Sequence, residues 1–397
     1  MPLPMPEETI NSPLKNVVIA CGGTGGHLFP GMAVGQELRQ RGCSVTLMVS
    51  PKDVDQQAIQ SIADMGVVTL PAVGLTRAGF PKFVSGLCKS YRLAKACFAQ
   101  RRPGFVLAMG GFISAPPILA ARRCGAKTFL HESNSIPGRA NRWLARWVDG
   151  AFVFFPTAAE KLAARRVETV GMPVRPKFRE PMSRETARGA MGLIPDAPVL
   201  LVMGGSQGAK MVNELALRYA PQLRQAIPSL QFVHLTGVQD VEAVRARYKA
   251  LEIPAVVHAF WNDMAVALAA ADVAVSRAGA SSLAELAARQ VPAVLIPYPS
   301  AANNHQFYNA RAFVQSGAAR MLPQDTTTPG HLVQEILELI GNPLKRSAMR
   351  KALAAWNSPA AAADIADRIL HWPAQADDVR RLSNTKLKPQ NLGPLNV

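Results

Sequence analysis

Apolar residues in this chain come in short runs of about strand length. Each run stops at a glycine-rich or polar turn, and most turns are followed by residues with helical spacing. The first run, Asn16-Val-Val-Ile-Ala-Cys21, gives way to Gly22-Gly-Thr-Gly-Gly-His27 and then, from Pro30, to a helix predicted to reach about residue 41. Strands are predicted at 44–50 and 105–109. The second ends in Gly110 and Gly111 and feeds a helix over about 116–123. Residues 127–130 lead into His131-Glu-Ser-Asn134, and 151–155 closes the set. The pattern then restarts with a strand at 199–203, the turn Gly204-Gly-Ser-Gln-Gly208 and a helix. Further strands are predicted at 232–236, 256–260, 273–276 and 293–297. Strands alternating with helices over short connections predict parallel sheets covered on both faces, an α/β chain. Two rounds of the same plan predict two such domains, with the C-terminal ends of their strands facing across a cleft where ligands bind.

The predicted boundaries are a first domain over 15–172 and a second over 173–356. An extension of residues 1–14 precedes them. Residues 173–198, rich in Pro, Arg and Glu, read as the link. Helices are expected at 329–340, 344–356 and 359–370, the last with Ser358 as N-cap and Pro359 at its first position. The segment 357–373 is expected to return to the first domain. The polar tail 374–397 is expected to be disordered.

Composition narrows the class. A length of 397 residues with 49% hydrophobic content suits two cores. No apolar run reaches the ~18–20 residues of a membrane span. Glu7 and Glu8 make the first twelve residues unlike a signal peptide. Five cysteines with no C-x-x-C pair point to reduced thiols in a cytoplasm, not a disulfide framework or a zinc site. The net charge of +17 is concentrated: residues 77–147 hold thirteen Lys/Arg against one acid, Glu132. Such a field attracts nucleic acid, an anionic membrane or an acidic substrate. Within it, Phe80, Phe83, Val84, Leu87, Tyr91 and Phe98 recur mostly at three- and four-residue spacing, among Lys82, Lys89, Arg92 and Lys95. That pattern suits a patch on anionic lipid. The alternative is an ordinary amphipathic helix facing the core.

The turn with most chemical content is Ala278-Gly-Ala-Ser-Ser-Leu-Ala-Glu285. Its small side chains let a ligand approach the backbone, and the first N–H groups of the following helix favour an anion such as pyrophosphate. Glu285 could then accept from a ribose diol. A capping box of Ser282 and Glu285 is the competing reading. Gly22–Gly26 does not match G-x-G-x-x-G, and no acid ends the second strand, which disfavours a dinucleotide oxidoreductase. Residues 205–210 lack the spacing of a P-loop. Asp53 and Asp55 read as charges complementing a helix dipole, not as metal ligands.

Six motifs occur in order: Gly22-Gly-Thr-Gly-Gly-His27 with Pro30, His131-Glu-x-Asn134, Gly171-x-Pro-Val-Arg175, Gly204-Gly-Ser-Gln-Gly-Ala209, Arg277-x-Gly-Ala280 with Glu285, and His305-Gln306 with Asn309-Ala310. Together, over about residues 15–370, they resemble the MurG family, the N-acetylglucosaminyltransferases that act on lipid I in peptidoglycan synthesis. The resemblance implies a GT-B fold, two Rossmann-like domains around a cleft, with no metal and no cofactor. It implies inverting transfer of GlcNAc from UDP-GlcNAc to the muramyl 4-hydroxyl of undecaprenyl-pyrophosphoryl-MurNAc-pentapeptide, forming lipid II. Carried onto this chain, Ser206 and Arg175 become pyrophosphate ligands, and Trp261 takes the position whose backbone reads uracil. Ala280, Ser281, Ser282, Leu283, Ala284 and Glu285 line phosphate, sugar and ribose. Gln306 and Asn134 contact sugar hydroxyls, while Thr24, Gly25 and Gly26 reach across from the first domain. His27 is the candidate general base, with Glu132 and His131 as competitors. A purely local role for His27 is the alternative.

A lipid-borne acceptor implies a peripheral enzyme on the cytoplasmic face of the bacterial inner membrane. Other cell-wall synthesis proteins are possible partners, and nucleic acid is not expected. Met172, Asn303-Asn304 and Trp261-Asn262 depart from the family pattern around the uracil and sugar positions. Rival readings are another UDP-sugar transferase, a UDP-sugar epimerase or a membrane scaffold without turnover.

Overall fold

The computed structural model describes residues 16–23, 25–51, 64–71, 79–205, 209–261, 263–325 and 329–373. The expected extension and tail lie outside the described residues, as do Thr24, Asp53, Asp55, Ser206 and Asn262.

The first sheet contains β1 (Asn16–Ala20), β2 (Ser44–Val49), β3 (Gly66–Thr69), β4 (Phe105–Ala108), β5 (Lys127–Glu132), β6 (Gly150–Val153) and β7 (Val167–Thr169). Its order is β3-β2-β1-β4-β5-β6-β7, and the pairs are parallel, with Ala20 opposite both Met48 and Ala108. The second sheet contains β8 (Val199–Met203), β9 (Gln231–Leu235), β10 (Ala255–His258), β11 (Val273–Ser276), β12 (Ala293–Leu295) and β13 (Arg320–Met321). Its parallel order is β10-β9-β8-β11-β12-β13. In both sheets the strand order reverses at the first strand, between β1 and β4 and between β8 and β11. Those switch points are where open α/β sheets bind ligands.

The central strands read as unbroken apolar runs because both faces are covered. Every residue of β1 and β8 is buried. The edge strands β3, β7 and β13 were not anticipated. They are two to four residues long and mostly half-buried or exposed, so they carry little hydrophobic signal.

The presumed link is only partly a link. Helix Arg184–Ala190 packs on helix Met264–Ala270, and Arg188, almost wholly buried, donates to Asp272 (2.5 Å) and to the carbonyl of Ala270 (3.1 Å). Asp272 also accepts from the Val199 N–H at the start of β8 (2.9 Å). The Pro- and Arg-rich composition hid a segment held by Asp272, which pairs with both Arg188 and Arg184, and by the buried Ala187, Met191 and Leu193.

The chain crosses between domains twice, and the crossings touch. Gly171 has φ +85°, and a Cβ there would lie 2.2 Å from the Ser358 hydroxyl, so this position needs glycine for conformation and for space. Ser358 is not an N-cap, because the helix begins at Ala361. That helix, Ala361–Leu370, lies against helix Gly25–Gln40 and buries Ala362, Ile365, Ala366 and Ile369 under Val17 and Ile19. Past its end, Trp372 stands edge-on to Phe129 (4.9 Å) and Phe152 (6.4 Å), with the Arg166 guanidinium over its ring. A side chain at Gly150 would collide with Trp372.

Charges reinforce this return. Arg41 grips Asp367 with two N–H groups (2.6 and 3.1 Å) and also pairs with Glu37, which Arg179 reaches from beyond the first crossing (2.8 Å). Burial alone would raise the Glu37 carboxyl, but the two guanidinium groups hold it below the usual range.

Ile365 is fully buried in the first domain although it lies near the far end of the chain. Ile365→Ala is expected to destabilise that domain by about 2–5 kcal/mol, as large-to-small core changes do. Urea unfolding followed by the fluorescence of the first-domain tryptophans checks this. A loss below about 0.5 kcal/mol would mean that the helix is not part of that core.

Candidate active site

Two helices begin at the switch points and aim their N-termini into one cleft. Helix Gly25–Gln40 follows β1, and helix Ala280–Arg289 follows β11. Their first N–H groups have no partner within the helix and carry partial positive charge. Gly279 stands at the N-cap of the second helix, so Ser282 lies inside it and no capping box forms. The two ends meet directly: the Ser281 hydroxyl donates to the Gly26 carbonyl at 3.4 Å.

The cleft has a volume of about 790 Å³, within the range of small-molecule sites. Gly25, Gly26, His27, Asn134, Arg175, Ala280, Ser281, Ser282, Glu285 and Gln306 line it, so the structure brings these expected site residues together. Leu283 and Ala284 are buried behind the same helix turn. Thr24 and Ser206 fall outside the described residues.

His27 lies in the first turn of its helix, half-buried, with its ring across the Gly110–Gly111 backbone. A Cβ at Gly110 would stand 2.9 Å from His27 Nε2, and Gly110 has φ +114°. The glycines after β4 therefore make room for the imidazole at the cleft wall.

His131 and Glu132, the competing bases, are buried at 0% and 2% exposure. His131 Nε2 pairs with the Gly171 carbonyl (3.0 Å), and burial lowers its pKa to about 4. Both Glu132 oxygens are occupied: Oε1 accepts from the backbone and side chain of Asn134 (2.8 and 3.2 Å), and Oε2 from Gly138 N–H and Asn141 (both 2.9 Å). Burial pushes the Glu132 carboxyl up while these donors pull it down. Glu132 is placed to brace the loop after β5, not to take a proton from a molecule in the cleft.

Arg175 and Glu285 pair with each other at 3.0 Å, and the guanidinium lies over Phe29 (4.9 Å) and Phe178 (5.4 Å). Burial raises the Glu285 carboxyl, and the Arg175 charge opposes that. The Gln306 amide oxygen accepts from Ala278 N–H (3.2 Å) and Tyr298 N–H (3.0 Å), so its NH₂ is the end left to face a ligand. The Trp261 ring packs on His258 (4.6 Å) and is not part of the cleft wall.

Sequence reasoning left further residues in and around this site without a role, four of which bear on its chemistry. Phe260, 44% exposed, lines the cleft beyond β10 as a flat apolar surface. Lys210 adds a cation beside the second glycine-rich turn. Arg277, nearly buried, ties the carbonyls of Ile296 and Pro297 (3.0 and 3.1 Å) and Gln324 (3.0 Å) to the turn before Gly279. Asn309, fully buried, bonds Ser135, Asn134 and Ala278. Only Asn309 and Arg277 had a signal, as members of motifs without an assigned task.

Among the described residues, no group of three or more His, Cys, Asp or Glu side chains could hold a metal ion. No helix among them is long and apolar enough to cross a membrane. Helix Phe80–Gln100 buries Gly86, Ser90, Ala94 and Phe98, so Phe98 belongs to the core. Outward it presents Phe80 (63% exposed) and Val84 (41%), with Lys82, Lys89, Arg92 and Lys95 exposed and Phe83, Leu87 and Tyr91 half-buried.

Residues 17–153 match the glycosyltransferase family 28 N-terminal domain and residues 199–369 the glycosyltransferase family 28 C-terminal domain. The UDP-N-acetylglucosamine–N-acetylmuramyl-(pentapeptide) pyrophosphoryl-undecaprenol N-acetylglucosamine transferase of Anaeromyxobacter sp. (strain K) is 36% identical over 361 residues, 88% of this chain and 91% of that protein. The crystal structure of Acinetobacter baumannii MurG superposes with a TM-score of 0.70 at 29% identity, covering 89% of this chain and 98% of that one. A Listeria monocytogenes protein described as a putative UDP-N-acetylglucosamine 2-epimerase shares the fold at a TM-score of 0.68 and 15% identity, covering 89% of this chain and 95% of that one.

Burial holds His131 near pKa 4 and His234, on β9, near 3, against an ordinary 6.5. The unfolded chain therefore binds more protons below about pH 6.5, and folded stability is complete above that value and falls as the pH drops toward those lower values. Urea midpoints at pH 7 and pH 5 are expected to differ more for the native protein than for His234→Gln. An unchanged difference would remove His234 from this account.

Proposed function

The chain belongs to the MurG family of glycosyltransferase family 28, and on that premise we propose that it transfers GlcNAc from UDP-GlcNAc to the muramyl 4-hydroxyl of lipid I, forming lipid II. The observation that carries this reading is the meeting of two helix N-termini, one from each domain, over a cleft walled by His27, Arg175, Glu285 and Gln306.

The donor's pyrophosphate suits the Ala280 helix end, where backbone N–H groups and the helix dipole meet its charge. Arg175 is near enough to add a persistent cation once it exchanges Glu285 for phosphate. Glu285, released, turns to the ribose diol. Phe260 offers a face for the uracil ring while the backbone beside Trp261 reads its edge. Gln306 presents its N–H groups to the sugar, and Asn134, its amide held by Glu132, Ser133 and Asn309, lines the wall beside it. Lys210 and the Gly25 helix end serve the charge that develops on the departing UDP.

The reaction is a single displacement with inversion. The acceptor hydroxyl attacks the anomeric carbon as its proton passes to His27, and the bond to UDP breaks with its electrons leaving on the phosphate oxygen. His27 is the base in this scheme because its imidazole stands on the first-domain wall of the cleft, and imidazole chemistry suits proton removal. His131 and Glu132, buried and already bonded, hold the wall in place.

The lipid-borne acceptor requires an enzyme seated on the cytoplasmic face of the bacterial inner membrane. The exposed strip of helix Phe80–Gln100 supports this, because its small residues face the protein while Phe80, Val84 and four cations face outward. Each basic residue near an anionic surface contributes ~1 kcal/mol.

Labelled GlcNAc is expected to pass from UDP-GlcNAc to a short-chain lipid I analogue in EDTA. His27→Ala is expected to lose at least about 10²-fold in kcat, the usual scale of a general base, with donor binding within about threefold of native. A native protein that binds UDP-GlcNAc without transferring it would favour an epimerase or a scaffold. The triple change Lys82→Glu, Lys89→Glu, Arg92→Glu is expected to abolish binding to vesicles rich in phosphatidylglycerol, and 0.5 M salt to weaken it in the native protein. Binding indifferent to both would remove the electrostatic part of the membrane reading.

A further inference from the structure

We propose that Asn309 is a positioning residue that latches the two domains together at the cleft floor, coupling the donor turn to the first-domain loop that carries Asn134. The inference rests on the transferase reading above but concerns a residue without a role in it.

Asn309 is fully buried in helix His305–Gln315 of the second domain. Its amide oxygen accepts from the Ser135 N–H of the first domain at 2.9 Å. Its NH₂ donates to Asn134 Oδ1 at 3.1 Å, across the same interface, and to the Ala278 carbonyl at 3.2 Å, within the second domain. The orientation of the amide is chemically forced. A backbone N–H can meet only the oxygen, and a backbone carbonyl only the NH₂. Both amide hydrogens are then committed, one to each domain.

This pattern also fixes Asn134. With its oxygen turned to Asn309, its NH₂ faces Glu132 Oε1 at 3.2 Å. A line of hydrogen bonds therefore runs from the Glu132 carboxylate through Asn134 and Asn309 to the Ala278 carbonyl. It ends two residues before the helix that receives the donor phosphates. The N–H of Ala278 is held separately by Gln306 at 3.2 Å. A ligand that moves the Ala278–Glu285 turn thereby shifts an atom on which Asn134 depends. Opening the cleft breaks two bonds, those to Ser135 and Asn134, while the Ala278 bond stays within its own domain. Water can replace the two broken bonds, which suits a contact that opens and closes in each cycle.

The test is site-resolved hydrogen–deuterium exchange of the Ser135 amide in the full chain, alone and with UDP, alongside steady-state kinetics. In the native protein the Ser135 amide is expected to exchange slowly, and more slowly with UDP bound. In Asn309→Ala it is expected to exchange at least about 10-fold faster with the amides of β11 unchanged, as loss of a buried partner implies. kcat is expected to fall at least about 10-fold, while KM for the donor moves less than about threefold, the pattern of an arrangement lost after donor binding. Asn309→Asp keeps the side-chain volume but cannot donate to Asn134 or Ala278 when ionised, and is expected to lose kcat in the same way.

Unchanged Ser135 exchange in Asn309→Ala would overturn the latch. So would a rise in donor KM that accounts for the whole loss of kcat/KM, because Asn309 would then brace only the donor turn. Exchange is read without turnover, so a native protein that transfers nothing would defeat the transferase reading and leave the exchange result standing.

Discussion

A parallel strand that ends in glycine and turns straight into a helix leaves backbone N–H groups without partners. Here two such ends, at Gly25 and Ala280, face each other closely enough for Ser281 to reach the Gly26 carbonyl. Unsatisfied donors with partial positive charge demand an anion or water. The rest of the cleft is arranged around that demand. Arg175 and Lys210 add cations at its edge, and Glu285 meets one of them. The glycines at 110 and 111 clear space so that an imidazole can stand beside the charge without crowding it.

Holding two helix ends in register requires the domains to be tied beside the cleft, and the ties differ in kind. At the floor they are hydrogen bonds through Asn309, which water can replace. Elsewhere they are apolar and ionic. Phe154 and Phe155 from the first domain pack with Phe313 and Trp356 from the second, with the Phe313 and Trp356 rings stacked at 4.4 Å. The Glu37, Arg41, Arg179 and Asp367 network lies on the same side as the two chain crossings. Phe313 lies one helical turn from Asn309, so the durable tie and the replaceable one are neighbours on the same helix, and the hydrogen bonds can exchange with water while the aromatic cluster keeps the domains joined.

The alternation of strand, glycine turn and helix was legible in the sequence because buried parallel strands must be apolar on both faces, and a turn close to a ligand must be small. The family followed from six motifs in order, and the comparisons agree with it. What could not be read was pairing across distance. Nothing local to Glu132 says that four N–H groups from residues 134, 138 and 141 surround it, and a His-Glu pair at a strand end reads as readily as a catalytic one. Arg175 and Glu285 each suggested a ligand, and their contact with one another depends on the packing of the domains. Phe260 and Trp261 are neighbours of similar character, and only the end of β10 at His258 decides which of them turns to the cleft. The inward face of helix Phe80–Gln100 is built from Gly86, Ser90 and Ala94, which a search for apolar periodicity passes over.

The return of Ile365, Ile369 and Trp372 to the first sheet has a consequence for the order in which the chain matures during synthesis. Phe129 and Phe152 leave the ribosome with their strands, yet the ring that covers them is roughly two hundred residues downstream. At ~5–20 residues per second, the first sheet waits roughly 10–40 s with that face uncovered. The second domain, whose sheet and covering helices lie within one continuous stretch, can complete itself in that interval. The first domain to be translated is thus the last to be finished, and until Trp372 emerges the Phe129 and Phe152 face stays uncovered.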